Sequence, residues 1–148
     1  MVDVRQARLY GRRDLKVEVG QVQMAVGGIC GSDLHYYQDG GFGPVRVREP
    51  IIVGHEASGY VERLGAGVSG LAVGDLVAVN PSQPCGTCRF CSEGLPIHCL
   101  DMQFMGSAMR LPHAQGMFRD RLVVRAPQCV PVGNVVTAAE AACAEPLA

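Results

Sequence analysis

Charged residues are scarce in this chain, 18% of its 148 residues against the usual quarter, and that shortage points to surface that something else normally covers. No excess of one sign exists either. The net charge is -1, with acidic and basic residues interspersed, so nothing favours a nucleic-acid or anionic-membrane partner. Long apolar runs are missing as well: none approaches the roughly eighteen residues that a membrane-spanning helix needs. The opening MVDVRQARLYGRR lacks the apolar stretch of a secretion signal, which leaves a cytoplasmic chain as the expectation. Internal repeats and low-complexity tracts are absent too.

What is present is a hydrophobic content of 48%, enough for a real core, in a length that fits one domain or one domain and the start of another. Most of the chain reads as short strands. In VEVGQVQMAV, Val22, Met24 and Val26 alternate with Gln21, Gln23 and Ala25, the period of a half-buried strand. PIIV, SGYVERL, DLVAV and RLVVRAP are further candidates, set apart by Gly, Pro and Asp. Nineteen glycines and nine prolines suit a mainly β, barrel-like body with many turns. GICGSDLHYYQ carries a short helix, with Ser32 and Asp33 as suitable caps. Near the end, Thr137 and Glu140 form a capping box for a helix from about Thr137 to Glu145 that stops at Pro146.

LGAGVSG, Leu64 to Gly70, matches the glycine pattern of dinucleotide-binding loops. Such a loop must end a strand and open a helix, with an acidic residue about twenty positions on. Here Gly74-Asp75 interrupts within a few residues and LVAV reads as another strand. The glycines are therefore expected to make a turn between strands, not a cofactor site.

The seven cysteines, an odd number in a chain read as cytosolic, speak for metal over disulfides. Cys85, Cys88, Cys91 and Cys99 fall within fifteen residues and can close around one tetrahedral zinc ion. An iron–sulfur cluster is the rival, but its fourth cysteine follows after three residues and precedes proline. Here it follows after seven and precedes Leu100. Four bare thiols are the bland alternative. A second set is dispersed over GICGSDLH and GHE. Alone, Cys30 reads equally as a buried thiol and His55 as a core histidine. Together with Glu56 they make an open Cys, His and carboxylate set. Asp33 is then a candidate to orient the histidine, besides its simpler role as a helix cap.

GGICGSDLHYYQDGGFG, PIIVGHEASGYVERLGAGVSGLAVGDLVAVNP, the four-cysteine lobe and AEPLA resemble the N-terminal catalytic domain of zinc-dependent medium-chain dehydrogenases, in the sorbitol/polyol branch. The likeness spans nearly the whole chain in order. Within that branch, Asp101 to Phe118 is most similar to the L-idonate 5-dehydrogenases. The resemblance implies a GroES-like barrel over residues 1–148 with a few short helices and a protruding zinc lobe. Residues from about 132 to 148 would begin the connection to a coenzyme-binding Rossmann domain that this chain does not contain, so no cofactor-binding residue is expected here.

It further implies two zinc ions per chain: a structural one on the four lobe cysteines, and a catalytic one on Cys30, His55 and Glu56. Glu145, or the nearby Cys143, would stand beside the catalytic ion. Tyr36 would contact substrate, with barrel packing as its plainer role, and Ser32 and His35 would relay a proton. Arg46, Arg48 and Arg110 are candidates to meet a sugar-acid carboxylate, against the simpler reading of solvated arginines. The implied activity is NAD- or NADP-linked oxidation of a secondary hydroxyl of a polyol or aldonate, such as L-idonate to 5-keto-D-gluconate. Zinc would act as a Lewis acid, and the proton would leave by Ser32 and His35 or by Glu145. The isolated fragment is expected to be inactive, and the full-length protein a homo-oligomer. Other polyol dehydrogenases (sorbitol, xylitol) and threonine or formaldehyde dehydrogenase remain open, as do a zinc-ribbon-like interaction module and a non-catalytic GroES-like module.

Overall fold

In the computed structural model residues 19–148 are described; the expected beginning of the first strand at Val17 lies outside them. The described elements are β1 (Val19–Gly28), α1 (Gly31–Asp39), β2 (Gly41–Phe42), β3 (Val45–Arg46), β4 (Glu56–Arg63), β5 (Leu76–Val79) and β6 (Ser82–Gln83). After them come α2 (Arg89–Ser92), β7 (Gln103–Phe104), β8 (Arg121–Arg125), β9 (Cys129–Pro131), α3 (Ala138–Ala142) and α4 (Ala144–Leu147). Five strands form a curled half-barrel in the order β8-β1-β4-β5-β9, antiparallel throughout. β2 with β3, and β6 with β7, make two small hairpin-like sheets.

Alternation explains the sheet. Along β1, Val22 is buried and Met24 and Val26 are half-buried, while Gln23, Ala25 and Gly27 face outward. Val22 joins Ala57, Val61, Val77, Val79, Leu122 and Val124 in one core, with Met105 and Met117 filling its far side. The buried Ser58 hydroxyl donates to the Ala138 carbonyl at 2.6 Å and ties α3 to β4. LGAGVSG is a turn, closed by the Val68 N–H on the Gly65 carbonyl (3.3 Å), and no helix follows it. Among the described residues, no helix is long and apolar enough to cross a membrane.

Two expectations need correction. Pro50 to Val53 is not a strand. Pro50 has no N–H for a ladder, and its neighbours bond to a loop instead. The Ile52 N–H goes to Gln115 Oε1 (2.8 Å), and the Ile52 and Val53 carbonyls accept from Gly116 (2.6 Å) and Phe118 (3.1 Å). The C-terminal helix does not run unbroken to Glu145. Thr137 caps α3 through Glu140 as expected, but the Cys143 N–H tightens onto the Glu140 carbonyl at 3.1 Å and a separate turn, α4, begins. Pro146 sits inside α4, within the first turn, where a missing N–H breaks no helical bond.

Behind the sheet, three main-chain segments touch with no side chain between them. A Cβ on Gly106 or on Gly116 would come within 2.6 or 2.5 Å of the Gly54 carbonyl oxygen, closer than any packed interior permits. Gly54 also holds a left-handed φ of 89°, which favours glycine.

Candidate metal centres

The four-cysteine lobe is built by turns. The thiols of Cys85, Cys88, Cys91 and Cys99 all lie within 4.8 Å of one another and none is in a disulfide. Around zinc with 2.3 Å bonds, sulfurs stand about 3.8 Å apart. Cys88 is 3.5 Å from Cys91 and 3.9 Å from Cys99, so the donor set fits. Backbone amides support the sulfurs: Cys88 donates to Cys85 Sγ (3.3 Å), and Cys85 and Asp101 donate to Cys99 Sγ (3.2 and 3.3 Å). The amides of Thr87 and Cys88, with the Thr87 hydroxyl, pull the Cys85 thiol down to about 6. The Cys91 amide lowers Cys88 likewise, whereas desolvation pushes Cys91 up to about 12. A bound cation would favour the thiolate form at all four positions.

The dispersed set is assembled by strand pairing. β1 ends with Gly28 opposite Glu56, the first residue of β4. Cys30 follows β1 and His55 precedes β4, so one antiparallel register delivers all three donors. Their ligating atoms lie within 4.8 Å of one another. Gly28 makes room for the carboxylate, since a Cβ there would overlap Glu56 Oε2. The mixture of thiolate, imidazole and carboxylate in a partly open place fits a catalytic zinc better than a closed structural one.

Asp33 is buried between the two ligand-bearing segments. Its Oδ2 accepts the Cys30 N–H (3.0 Å) and its Oδ1 accepts the Gly54 N–H (2.9 Å), while His55 Nδ1 stands 4.0 Å away. The carboxylate thus holds the backbone beside each ligand and faces, at 4.0 Å, the imidazole nitrogen it was expected to orient. It also closes the capping box of α1.

Beside His55 opens a cleft of about 260 Å³ lined by Ser32, Tyr36, Phe42, Phe104, Ser107 and the side chains of Met102 and Met109. Phe104 lies 5.3 Å from the His55 ring, centroid to centroid. The Tyr36 hydroxyl accepts the Ala108 N–H at 3.1 Å, which leaves its own proton free to donate into the cleft. His35 is exposed, with Nδ1 on Asp39 Oδ2 (3.0 Å) instead of on Ser32. Glu145, half-buried on α4, and Cys143, exposed at its start, do not join the gathered donors. Arg110 pairs with Asp101 (2.5 Å) and with the Met102 carbonyl (2.9 Å); Arg46 and Arg48 are exposed. Phe104, Met102, Ser107 and Met109 were not individually legible in the sequence. Their only signal was the dense Met, Gly and Phe content of 101–118.

Comparison with known proteins adds to this geometry. Residues 18–134 match the model of the alcohol dehydrogenase GroES-like domain. L-Idonate 5-dehydrogenase (NAD(P)(+)) of Escherichia coli (strain K12) is 46% identical over 127 residues, which cover 86% of this chain and 36% of that protein. Sorbitol dehydrogenase of Bacillus subtilis (strain 168) is 36% identical, over 97% of this chain and 42% of that protein. The crystal structure of the E. coli L-idonate 5-dehydrogenase superposes with a TM-score of 0.83 at 45% identity, covering 88% of this chain and 37% of that one. Galactitol-1-phosphate dehydrogenase from E. coli superposes at 0.74 with 31% identity, covering 97% and 39%. The chain therefore spans little more than a third of the length of such relatives.

Proposed function

The chain belongs to the alcohol dehydrogenase GroES-like domain family, and from that premise we propose that it is the catalytic-domain portion of a zinc-dependent, NAD(P)-linked dehydrogenase oxidising a secondary hydroxyl of a polyol or aldonate. One observation carries the reading: Cys30, His55 and Glu56 converge, and His55 among them also lines a cleft large enough for a sugar alcohol. Cys30, His55 and Glu56 would hold the catalytic zinc, and the four lobe cysteines a structural one. When bound, zinc supplies Lewis acidity to a hydroxyl and the nicotinamide supplies the electron sink.

The chain's own residues do the rest. Tyr36 offers a hydroxyl proton to a substrate oxygen. Ser32, on the cleft wall, would relay the released proton, its hydroxyl accepting one as it gives up its own. The exposed His35, whose Nδ1 is held by Asp39, would receive it at Nε2 through water and release it to solvent. Glu145 is the second candidate exit. Phe42, Phe104, Met102 and Met109 exclude water from the reacting carbon.

L-Idonate, oxidised to 5-keto-D-gluconate, is the proposed substrate, supported by the 46% identity to a protein of that name. A neutral polyol such as sorbitol or xylitol is the second reading. What favours it is that no lysine or arginine is among the described residues lining the cleft. NADH or NADPH formation by the complete protein carrying this chain, tested on L-idonate, sorbitol and xylitol with zinc counted per chain, separates these readings. Two zinc ions and turnover of at least one substrate are expected. Full zinc loading with no turnover of any polyol or aldonate would overturn the proposal.

A further inference from the structure

The wall of the cleft formed by residues 102–110 belongs to no large sheet, yet it must stand at a fixed distance from His55. Besides the β6–β7 pairing and the Ala108 N–H on the Tyr36 hydroxyl (3.1 Å), it is held through one buried side chain, His113, only 4% exposed. The ring bridges two segments that lie far apart in sequence. The Arg48 N–H donates to Nε2 at 2.9 Å, and Nδ1 lies 2.6 Å from the Arg110 carbonyl oxygen. A carbonyl can only accept, so Nδ1 carries the proton and the ring is the neutral Nδ1–H tautomer. Both ring nitrogens are thus committed to main chain.

Neighbouring groups repeat the pattern. The His113 N–H donates to Glu49 Oε1 at 2.5 Å. Gln115 accepts the Ile52 N–H through Oε1 (2.8 Å) and donates through Nε2 to the His113 and Pro50 carbonyls (3.2 and 3.3 Å). The Gly106 N–H, from the cleft wall itself, donates to the Ala114 carbonyl at 2.8 Å. Segment 48–54 leads directly into His55, and segment 106–110 carries Ser107, Met109 and Arg110. The bridge therefore joins the ligand-bearing segment to the opposite wall.

We propose that His113 is a positioning residue that sets the width and register of the cleft, and so decides which hydroxylated substrate presents its carbon correctly beside His55. This rests on the reading of the cleft as the substrate site. Removing the ring leaves the Arg48 amide and the Arg110 carbonyl without the partner that joins them, and frees the wall to shift. A wall free to shift grips substrate less well in ground and transition state alike, which raises KM and leaves kcat nearly unchanged.

The test uses the complete protein carrying His113→Ala, His113→Asn or His113→Gln. Asn places a donor where Nδ1 stands; Gln places an acceptor near Nε2. For the alanine variant, KM for the best polyol should rise about tenfold or more with kcat changed far less, zinc per chain unaltered, and the Arg48 and Gly106 amides exchanging much faster. Asn and Gln should each recover part of the KM. If the alanine variant does not fold, Gln115→Leu, which frees the Ile52 amide, should move KM and amide exchange in the same direction. Unchanged KM with an even loss of protection across the whole core would mean that His113 only fills space, and would overturn the proposal. Wild-type protein that oxidises no polyol would sink the functional reading alone. Wild-type-like Arg48 and Gly106 exchange in His113→Ala would then still refute the bridge, and selective opening would uphold it.

Discussion

The two candidate metal centres reach similar ligand spacings by opposite routes. In the lobe, four donors come from one short loop, so their meeting depends on local turns and hardly on the sheet. At Cys30, His55 and Glu56 the donors come from the ends of two strands, and only the β1–β4 register brings them together. The first centre folds its own surroundings; the second is folded by its surroundings. Closure fits structure in the one, and openness to a cleft fits chemistry in the other.

Each prediction tests that contrast. Cys88→Ser should have the largest effect on folding. Zinc binding by such loops carries about 10–16 kcal/mol in isolated peptides, so losing it should remove one zinc per chain and lower Tm by on the order of 10 °C. Calorimetry with elemental analysis reads both; an unchanged Tm would show that the lobe does not depend on its metal. Cys30→Ser should do the reverse. We expect one zinc fewer, dehydrogenase activity of the complete protein down by roughly a thousandfold or more, and Tm within about 3 °C of wild type. A large fall in Tm would blur the distinction between the centres.

Asp33→Ala should weaken only the dispersed centre. It strips acceptors from the Cys30 and Gly54 amides, at about 1–3 kcal/mol for each buried donor. Zinc affinity there should fall about 10–100-fold, measured by chelator competition, while the lobe's stays put. Equal weakening of both centres would contradict the assignment. The smallest effect concerns α3, which Ser58 fastens to the strand bearing Glu56. Thr137 holds the Glu140 carboxyl below its ordinary range through the cap. A depressed folded-state value means that the contribution is complete above the ordinary carboxylate pKa and fades as pH falls through the depressed one. A small part of α3 stability should vanish with acid, and Glu140→Gln should remove that part of the pH dependence, as read by amide exchange in α3.

The same contrast explains what the sequence could disclose. The lobe was legible because spacing along the chain is spacing in space when ligands share a loop. The strands were legible wherever one face is buried, as in β1 and β4. Cys30, His55 and Glu56 were visible only as residue types and through family likeness, since register is not written locally. Pro50 to Val53 misled because its apolar run looks like a strand, while its bonding partners stand more than sixty positions on. His113 was silent for the same reason: its partner Arg48 is 65 residues away, and no pattern near it announces the bridge. The split at Cys143 turns on a single tightened hydrogen bond, below the resolution of any periodicity.

The glycine contact at Gly54, Gly106 and Gly116 bears on how such a protein changes over time. A Cβ at Gly106 or Gly116 meets the Gly54 carbonyl oxygen, and one at Gly54 meets the Phe118 ring, so no substitution there is accommodated without a shift. Change in the cleft is thereby channelled away from that junction, toward Met102, Ser107 and Met109, where single replacements reshape the lining and leave its frame intact.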